Sequence, residues 1–461
     1  MPGAQTQEVT QTLAAFAAGL KYQDLPERVR DSAKNLLLDA LACAVAGHRA
    51  EETTQVAALA AAMAQSHESS VIAGDRLSLT GATLFNSFLI TAVTMCDTHR
   101  STLTHITPEV MPPALAIAEQ DNLSGRDLLV ALVAGLETAT RVGVGLDYPA
   151  FRARGWHGPG VIGPFGSAAA VGRLRGFSAE TMAKAFGLAG SQSAGTFAAW
   201  QTPTVKFHQC RGALSGLMAA LLAEQNFLAT KEFLTAKDGG LYNAYSNGGK
   251  PEAVIAELGE RWEFEQIALR LWPSASSTQA MNTALFELIE KHKPDPAKVK
   301  KLRVALSQSV HDLHGHLAQY KGSFDALISA HYTAAAILHD RALTLAQFEP
   351  QRYDDPKLRK AAVEQVEVVA DPALKGIEAK VDVEMTDGSK LSERCVYPRG
   401  SYENPLSRAE IETKFRTYAK GVLADAATDE IIGAVNLLED LASARRLMEL
   451  LHRPQRQERA A

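Results

Sequence analysis

The stretch Ser124 to Val142, SGRDLLVALVAGLETATRV, sets the fold class. Ser124 followed by Asp127 reads as a capping box, two side chains satisfying the first free N–H groups of a helix. Behind it, apolar residues recur at helical spacing as far as Val142. The same texture extends to both sides. Val29 to Ala46, Thr53 to Met63, Thr83 to Met95 and Pro112 to Gln120 read as Ala-rich helices. Gly47 stands where a helix stop belongs, and Ser178 offers a plain N-cap. Arg211 to Gln225 is a further helix. Its small residues Gly212, Ala213, Ser215 and Gly216 would let another backbone come close.

The texture changes near Trp272-Pro273. Lys380 to Met385 alternates as a strand, Thr386-Asp387-Gly388 supplies a turn, and Leu391 to Val396 returns as its partner. Val299 to Ser307 and Val366 to Val369 read as further strands, with helices at Ala326 to Leu338 and near Pro356 to Glu364. Ser407 to Leu423 and Asp429 to Leu451 are helical again. The expected fold is mainly α with a smaller α+β domain. A helical domain over 1–268 is followed by an α+β domain over 269–402, and the helices of 403–461 return to the first. The tail Arg453 to Ala461 is expected to fray.

A chain of 461 residues can bury a large core without disulfide or metal staples. Hydrophobic residues at 46% and charged residues at 21% exclude general disorder. Lys+Arg at 47 against Asp+Glu at 52 lacks the basic excess of a nucleic-acid binder. No apolar run is long enough for a bilayer, so no membrane partner is expected. The opening MPGAQTQEVT does not read as a signal peptide. Cys43, Cys96, Cys210 and Cys395 are scattered and have no zinc-type spacing, which fits a cytoplasmic protein.

Three clusters could carry chemistry. Asp97-Thr98-His99-Arg100, with His105 close behind, lies between two helices. Such a loop can deliver an oriented histidine into a cleft, or it is a solvated connector with a capping Asp. His157 sits in Gly155-Trp156-His157-Gly158-Pro159-Gly160, either a restrained base or a satisfied turn residue. Lys206, His208 and Arg211 crowd a helix start. Cations are unfavourable there unless an anion joins them, which points to a carboxylate or phosphate, or the cations face solvent. His311, His314 and His316 fit no standard zinc spacing, so no metal is expected. Tyr332 lies on a helix and by default is core.

Taken in order, four segments resemble the MmgE/PrpD family: LLLDALACAVAG from Leu36, GWHGPGVIGPFGSAAAVGRLRGF from Gly155, VKFHQCRGALSGLMAALLAEQNF from Val205, and AKVDVEMTDGSKLSERCVYPRGSYENPLSRAEIETKF from Ala379. The family includes dehydratases, decarboxylases and epimerases of small polycarboxylates. The resemblance implies a homodimer of two-domain subunits, an active site between helical domain and lid, and chemistry without metal or cofactor. It also implies roles for residues that match the family's motifs. Asp97 and Thr98 match the end of an Asp-Asp-Thr element, and His105 a His-Pro-Ser histidine with Ile106 in place of proline. His157 matches the Gly-Trp-His histidine, Lys206 the pocket lysine, His208 the histidine beside it, and Tyr332 a lid tyrosine. Two departures stand out. Thr94-Met95-Cys96-Asp97-Thr98 lacks two of the acids in Asp-Phe-Asp-Asp-Thr. The segment from Arg270 to Ala275 leads to Gln279 where the family has histidine, and Gln cannot exchange a proton.

The implied chemistry is proton transfer beside a carboxylate, where developing negative charge needs cations or hydrogen-bond donors. His105, His157, Lys206 and Asp97 are the expected catalytic residues. Thr98, His208, Tyr332, Arg270 and Gln279 are the expected contacts to a small carboxylate substrate. A hydro-lyase is the leading expectation. An epimerase, a decarboxylase and a silent carboxylate-binding protein are the alternatives.

Overall fold

The Gly158–Leu174 helix is buried along nearly its whole length. A helix without a polar face must lie inside other helices. This one packs against Thr107–Gln120, Gly125–Val144, Ala179–Gly190 and Thr204–Glu224. Together they centre the first of two units in a computed structural model that describes residues 8–453. The first unit comprises the described residues up to Ala92, Cys96–Ile267, and those from Ser407 onward. The second comprises Val93–Met95 and Ala268–Leu406.

The first unit is drawn from distant parts of the chain. Arg408–Ala419 packs on Glu27–Gly47, and Lys414 Nζ donates to Asp39 Oδ1 at 2.6 Å with both side chains buried. Burial alone would lower the Lys414 pKa, but the Asp39 carboxylate holds it above its ordinary value. The helix starts follow local chemistry. Ser124 Oγ accepts from Asp127 N at 3.1 Å while Asp127 reaches back to Ser124 N, and Ser178 caps Thr181 N.

Several boundaries differ from the sequence pattern for identifiable reasons. Gly47 is the last residue of its helix and keeps a helical conformation. The helix does end there, and a Cβ would lie 2.1 Å from Leu89 O, so the glycine also serves the close approach of Leu79–Ala92. Thr107–Gln120 begins ahead of Pro112, because Asp97 supplies its cap and both Pro112 and Pro113 are accommodated inside the helix. The expected Asp429–Leu451 helix is broken into Asp425–Asn436, Leu438–Asp440 and Arg445–Leu451. Its backbone turns aside where Leu441 O accepts from Gly125 N at 2.9 Å and Ala444 N donates to Leu123 O at 2.7 Å. The expectation for the tail past Arg453 lies outside the described residues.

The second unit carries a four-stranded sheet ordered Val366–Ala370, Val299–Leu306, Ala379–Met385, Lys390–Cys395. The first pair is parallel, with Val304 opposite Val368, and the other pairs are antiparallel. The parallel pair requires a long crossover, filled by the helices between residues 307 and 365. Leu302, Val304, Val381 and Val383 join Met281, Leu285 and Leu288 of the Gln279–His292 helix in one core. The expected Ala326–Leu338 helix is two helices, Ser323–Ile328 and Ala330–Asp340. Ser329 is extended between them and its hydroxyl caps Tyr332 N, a competing local bond that breaks helices. All four cysteines are buried and none is in a disulfide. No helix among the described residues is long and apolar enough to cross a membrane.

Candidate active site

The site is built from the loop ahead of Thr107–Gln120 upward. Asp97, Thr98 and His99 are all buried, although Ser101 and Leu103 of the same connector are exposed. The Asp97 carboxylate accepts from Ile106 N at 2.9 Å, Thr107 N at 3.1 Å and Thr107 Oγ1 at 2.5 Å. It is a helix cap. Burial raises its pKa, and the three bonds oppose that rise. The expected orientation of a histidine by Asp97 comes instead from its backbone: His105 Nδ1 lies 2.6 Å from Asp97 O. A carbonyl only accepts, so Nδ1 carries the proton and Nε2 is the basic nitrogen. Thr98 Oγ1 stands 3.3 Å from the same Nδ1.

The second and third clusters meet. His157 N donates to Gly195 O at 3.0 Å and Phe197 N to Gly155 O at 2.7 Å, with Trp156 and Thr196 bridged between them. This short ribbon lays residues 195–197 along the start of Gly158–Leu174. Gly195 has φ +123, and a Cβ there would come within 3.1 Å of the His208 ring. The glycine therefore lets the loop pass over His208, which lies on the Thr204–Glu224 helix. His157 Nδ1 and His208 Nδ1 are 2.8 Å apart. One must donate and the other accept. In the neutral pair, one ring then has a basic Nε2 and the other an Nε2–H. Burial drives the His157 pKa well below 6.5, helped by His208, His105 and Arg152 nearby. Burial also lowers His208.

The Thr204–Arg211 segment is not a loop ahead of a helix; it forms the first two turns of Thr204–Glu224. Its crowded cations separate there. Arg211 is exposed. Lys206 is buried, its Nζ donating to Ala92 O at 2.5 Å and standing 3.7 Å from Glu52 Oε2. Ala92 closes Leu79–Ala92, so the ammonium meets the negative end of another helix. Burial lowers the Lys206 pKa and Glu52 opposes that shift. The Thr107–Gln120 helix also carries Glu109. It is fully buried, and neither carboxyl oxygen has a hydrogen-bond partner among the described residues. A Cβ at Gly163 would lie 2.1 Å from its Cδ, so that glycine makes the room it occupies. Burial, with Asp97 nearby, raises the Glu109 pKa well above 4.5.

Three expected contacts belong to the second unit. Arg270 is buried and Nη1 donates to Ser274 O at 3.0 Å. Gln279 Nε2 donates to Ser274 Oγ at 2.8 Å and to Trp272 O at 3.2 Å, and its buried Oε1 has no hydrogen-bond partner among the described residues. Tyr332 is fully buried and its hydroxyl donates to Gln347 O, so a substrate contact would have to replace that bond. His314 uses Nδ1 on Ile328 O at 2.8 Å and Nε2 on Ser277 Oγ at 2.6 Å.

The MmgE/PrpD N-terminal domain model matches residues 11–254, and the MmgE/PrpD C-terminal domain model matches residues 272–440. The chain belongs to the MmgE/PrpD family. Its C-terminal family model runs past the second unit into helices of the first. The chain is 30% identical to a cis-aconitate decarboxylase-like protein of Aspergillus oryzae, over 96% of this chain and 97% of the relative. It is 28% identical to a cis-aconitate decarboxylase of Aspergillus terreus, covering 97% and 96% of the two chains. It is 27% identical to the cis-aconitate decarboxylase of Homo sapiens, covering 97% and 95%.

Within this MmgE/PrpD chain, His157 bonds His208 and has His105 within electrostatic reach, although the three are scattered from residue 105 to residue 208. Sequence reasoning missed Glu109 and Arg152. Glu109 looks like an ordinary first-turn acid of a helix, and Arg152 like one of two arginines in Phe151-Arg152-Ala153-Arg154. The only sequence signal for Glu109 is the glycine run of residues 155–166, whose Gly163 makes room for it.

Proposed function

We propose that this protein is a lyase acting on a small polycarboxylic acid by proton transfer through His157, His208 and His105. The Nδ1–Nδ1 bond between His157 and His208 carries the proposal. It makes one ring a base and the other a donor at their Nε2 atoms; once the basic Nε2 has taken a proton, the shared proton can cross and the other ring can release its Nε2 proton, which leaves a neutral pair with the roles exchanged. Low pKa values keep both rings neutral near pH 7, the form in which the pair can take a proton. His105, with its tautomer fixed by Asp97 O, is a second base of defined direction.

Two branches follow. In a hydro-lyase, a histidine removes a proton beside a carboxylate and the β-hydroxyl leaves as water. In a carboxy-lyase, the electron pair of the C–CO₂⁻ bond stays on carbon, carbon dioxide leaves, and a histidine proton closes the valence. Full-length likeness to cis-aconitate decarboxylases favours the carboxy-lyase branch. It needs no acid for a departing hydroxyl, in keeping with Gln279 in place of a titratable residue. The hydro-lyase branch is tested beside it.

Proton NMR in deuterium oxide with cis-aconitate, citrate and 2-methylcitrate decides between them. New vinylic signals with release of carbon dioxide support the carboxy-lyase. A new alkene with retention of every carboxylate supports the hydro-lyase. Solvent deuterium entering the acid without a new product overturns the lyase in favour of an epimerase. No reaction and no exchange across the panel overturns the proposal.

A further inference from the structure

The cations expected to hold substrate carboxylates are engaged by the protein itself. Lys206 bonds Ala92 O and faces Glu52, Arg270 bonds Ser274 O, and His208 pairs with His157. Arg152 differs. It lies on the Tyr148–Ala153 helix and is half-buried. Among the described residues no carboxylate stands within ion-pair distance of it. Its guanidinium carbon sits 3.4 Å from the centre of the Phe197 ring. Phe197 is stacked on Trp200 at 5.0 Å and 16°, and meets His157 edge-on at 5.8 Å. Arg152 and His157 thus border the same aromatic ring, close enough for the guanidinium to act electrostatically on the imidazole.

A half-buried guanidinium loses hydration, which an acidic partner normally offsets. Here the flat face of Phe197 orients the fork without neutralising it. The N–H groups then remain available for planar, bidentate recognition of a carboxylate. We propose that Arg152, held on the Phe197–Trp200 stack, binds a carboxylate of the substrate other than the one at the reacting carbon, and so restricts the site to acids with at least two carboxylates. The inference rests on the polycarboxylate reading above. It adds the residue that counts the charges.

The test is calorimetric binding of tricarballylate, glutarate and butyrate, saturated acids that offer three, two and one carboxylates without an alkene or hydroxyl to react. The wild type is compared with Arg152→Met and Arg152→Lys, each checked for an unchanged melting temperature. Arg152→Met should weaken tricarballylate by about 10- to 100-fold, the range for a lost charge-assisted bond, and leave butyrate unaffected. Arg152→Lys should recover part of that loss, since charge returns without the planar fork. The effects of removing Arg152 and of removing the ligand's extra carboxylates should not add, because both delete the same contact. Equal affinity of wild type and Arg152→Met for tricarballylate overturns the Arg152 assignment alone, as does a loss that is the same for all three acids. A wild type that binds none of them overturns the polycarboxylate reading and this inference with it.

Discussion

His157 in the helical unit and His314 in the second unit make an instructive pair. Burial lowers the pKa of both, to about 4 for His314 and well below 6.5 for His157. Their partners differ in kind. His314 lies between a carbonyl and a hydroxyl, neither of which titrates near neutral pH, so its tautomer is locked. His157 bonds another imidazole and has a third within electrostatic reach. A displaced pKa reports burial in both cases. The capacity to pass a proton depends on what the nitrogen is bonded to.

The largest expected effect separates the two by kinetics. His157→Ala should lower kcat by about 10²- to 10⁴-fold with a retained fold, the range for loss of a general base. His314→Gln should leave kcat within a few-fold and cost about 1–3 kcal/mol in urea melts, because Ile328 O and Ser277 lose a buried partner. If His314→Gln removed activity while melting normally, the contrast would fail.

His208→Asn sharpens the comparison through pH. In the proposed mechanism His157 is a base only when neutral, so activity should be lost as pH falls through its folded pKa. His208 is one of the groups holding that value down, so its removal should move the acid limb of kcat/KM to higher pH. An unmoved limb would show that the two rings titrate independently. Lys206→Met tests the same distinction for a cation. Its contacts with Ala92 O and Glu52 predict lost stability of about 1–3 kcal/mol. A raised KM at unchanged melting temperature would instead make it a substrate ligand.

The smallest expected effect concerns Glu109. Its folded pKa is raised above that of the unfolded chain, so the unfolded state releases its proton first. Stability from this group is full below about pH 4.5 and declines as pH rises toward the folded value, by about 1.4 kcal/mol per pH unit at most. Glu109→Gln should flatten that decline and leave the protein as stable or slightly more stable at pH 7. Urea melts from pH 4 to pH 8 provide the check, and a parallel slope in the variant would assign the decline elsewhere.

The elements legible in the sequence were those with local causes. Ser124 and Asp127 announce their capping box, and Thr386-Asp387-Gly388 announces the hairpin that Ala379–Met385 and Lys390–Cys395 form. What depends on distant chain is not written locally. The bend at residues 441–444 follows from hydrogen bonds to Leu123 and Gly125. The candidate site divides the same way. His105 and His157 stand out by composition, whereas their relation to His208, the commitment of Lys206 to Ala92 O and the lone charge of Arg152 arise only when the helices pack.

The buried pair of Asp39 and Lys414 joins residues 375 positions apart. During synthesis at roughly 5–20 residues per second, Asp39 therefore precedes its lysine by about 20–75 seconds. Throughout that interval the second unit emerges in full while the first lacks the cation for a carboxylate destined for its interior. Burying that carboxylate without Lys414 would be strongly unfavourable. The Glu27–Gly47 helix can therefore gain this ion-pair partner only after the C-terminal helices have left the ribosome.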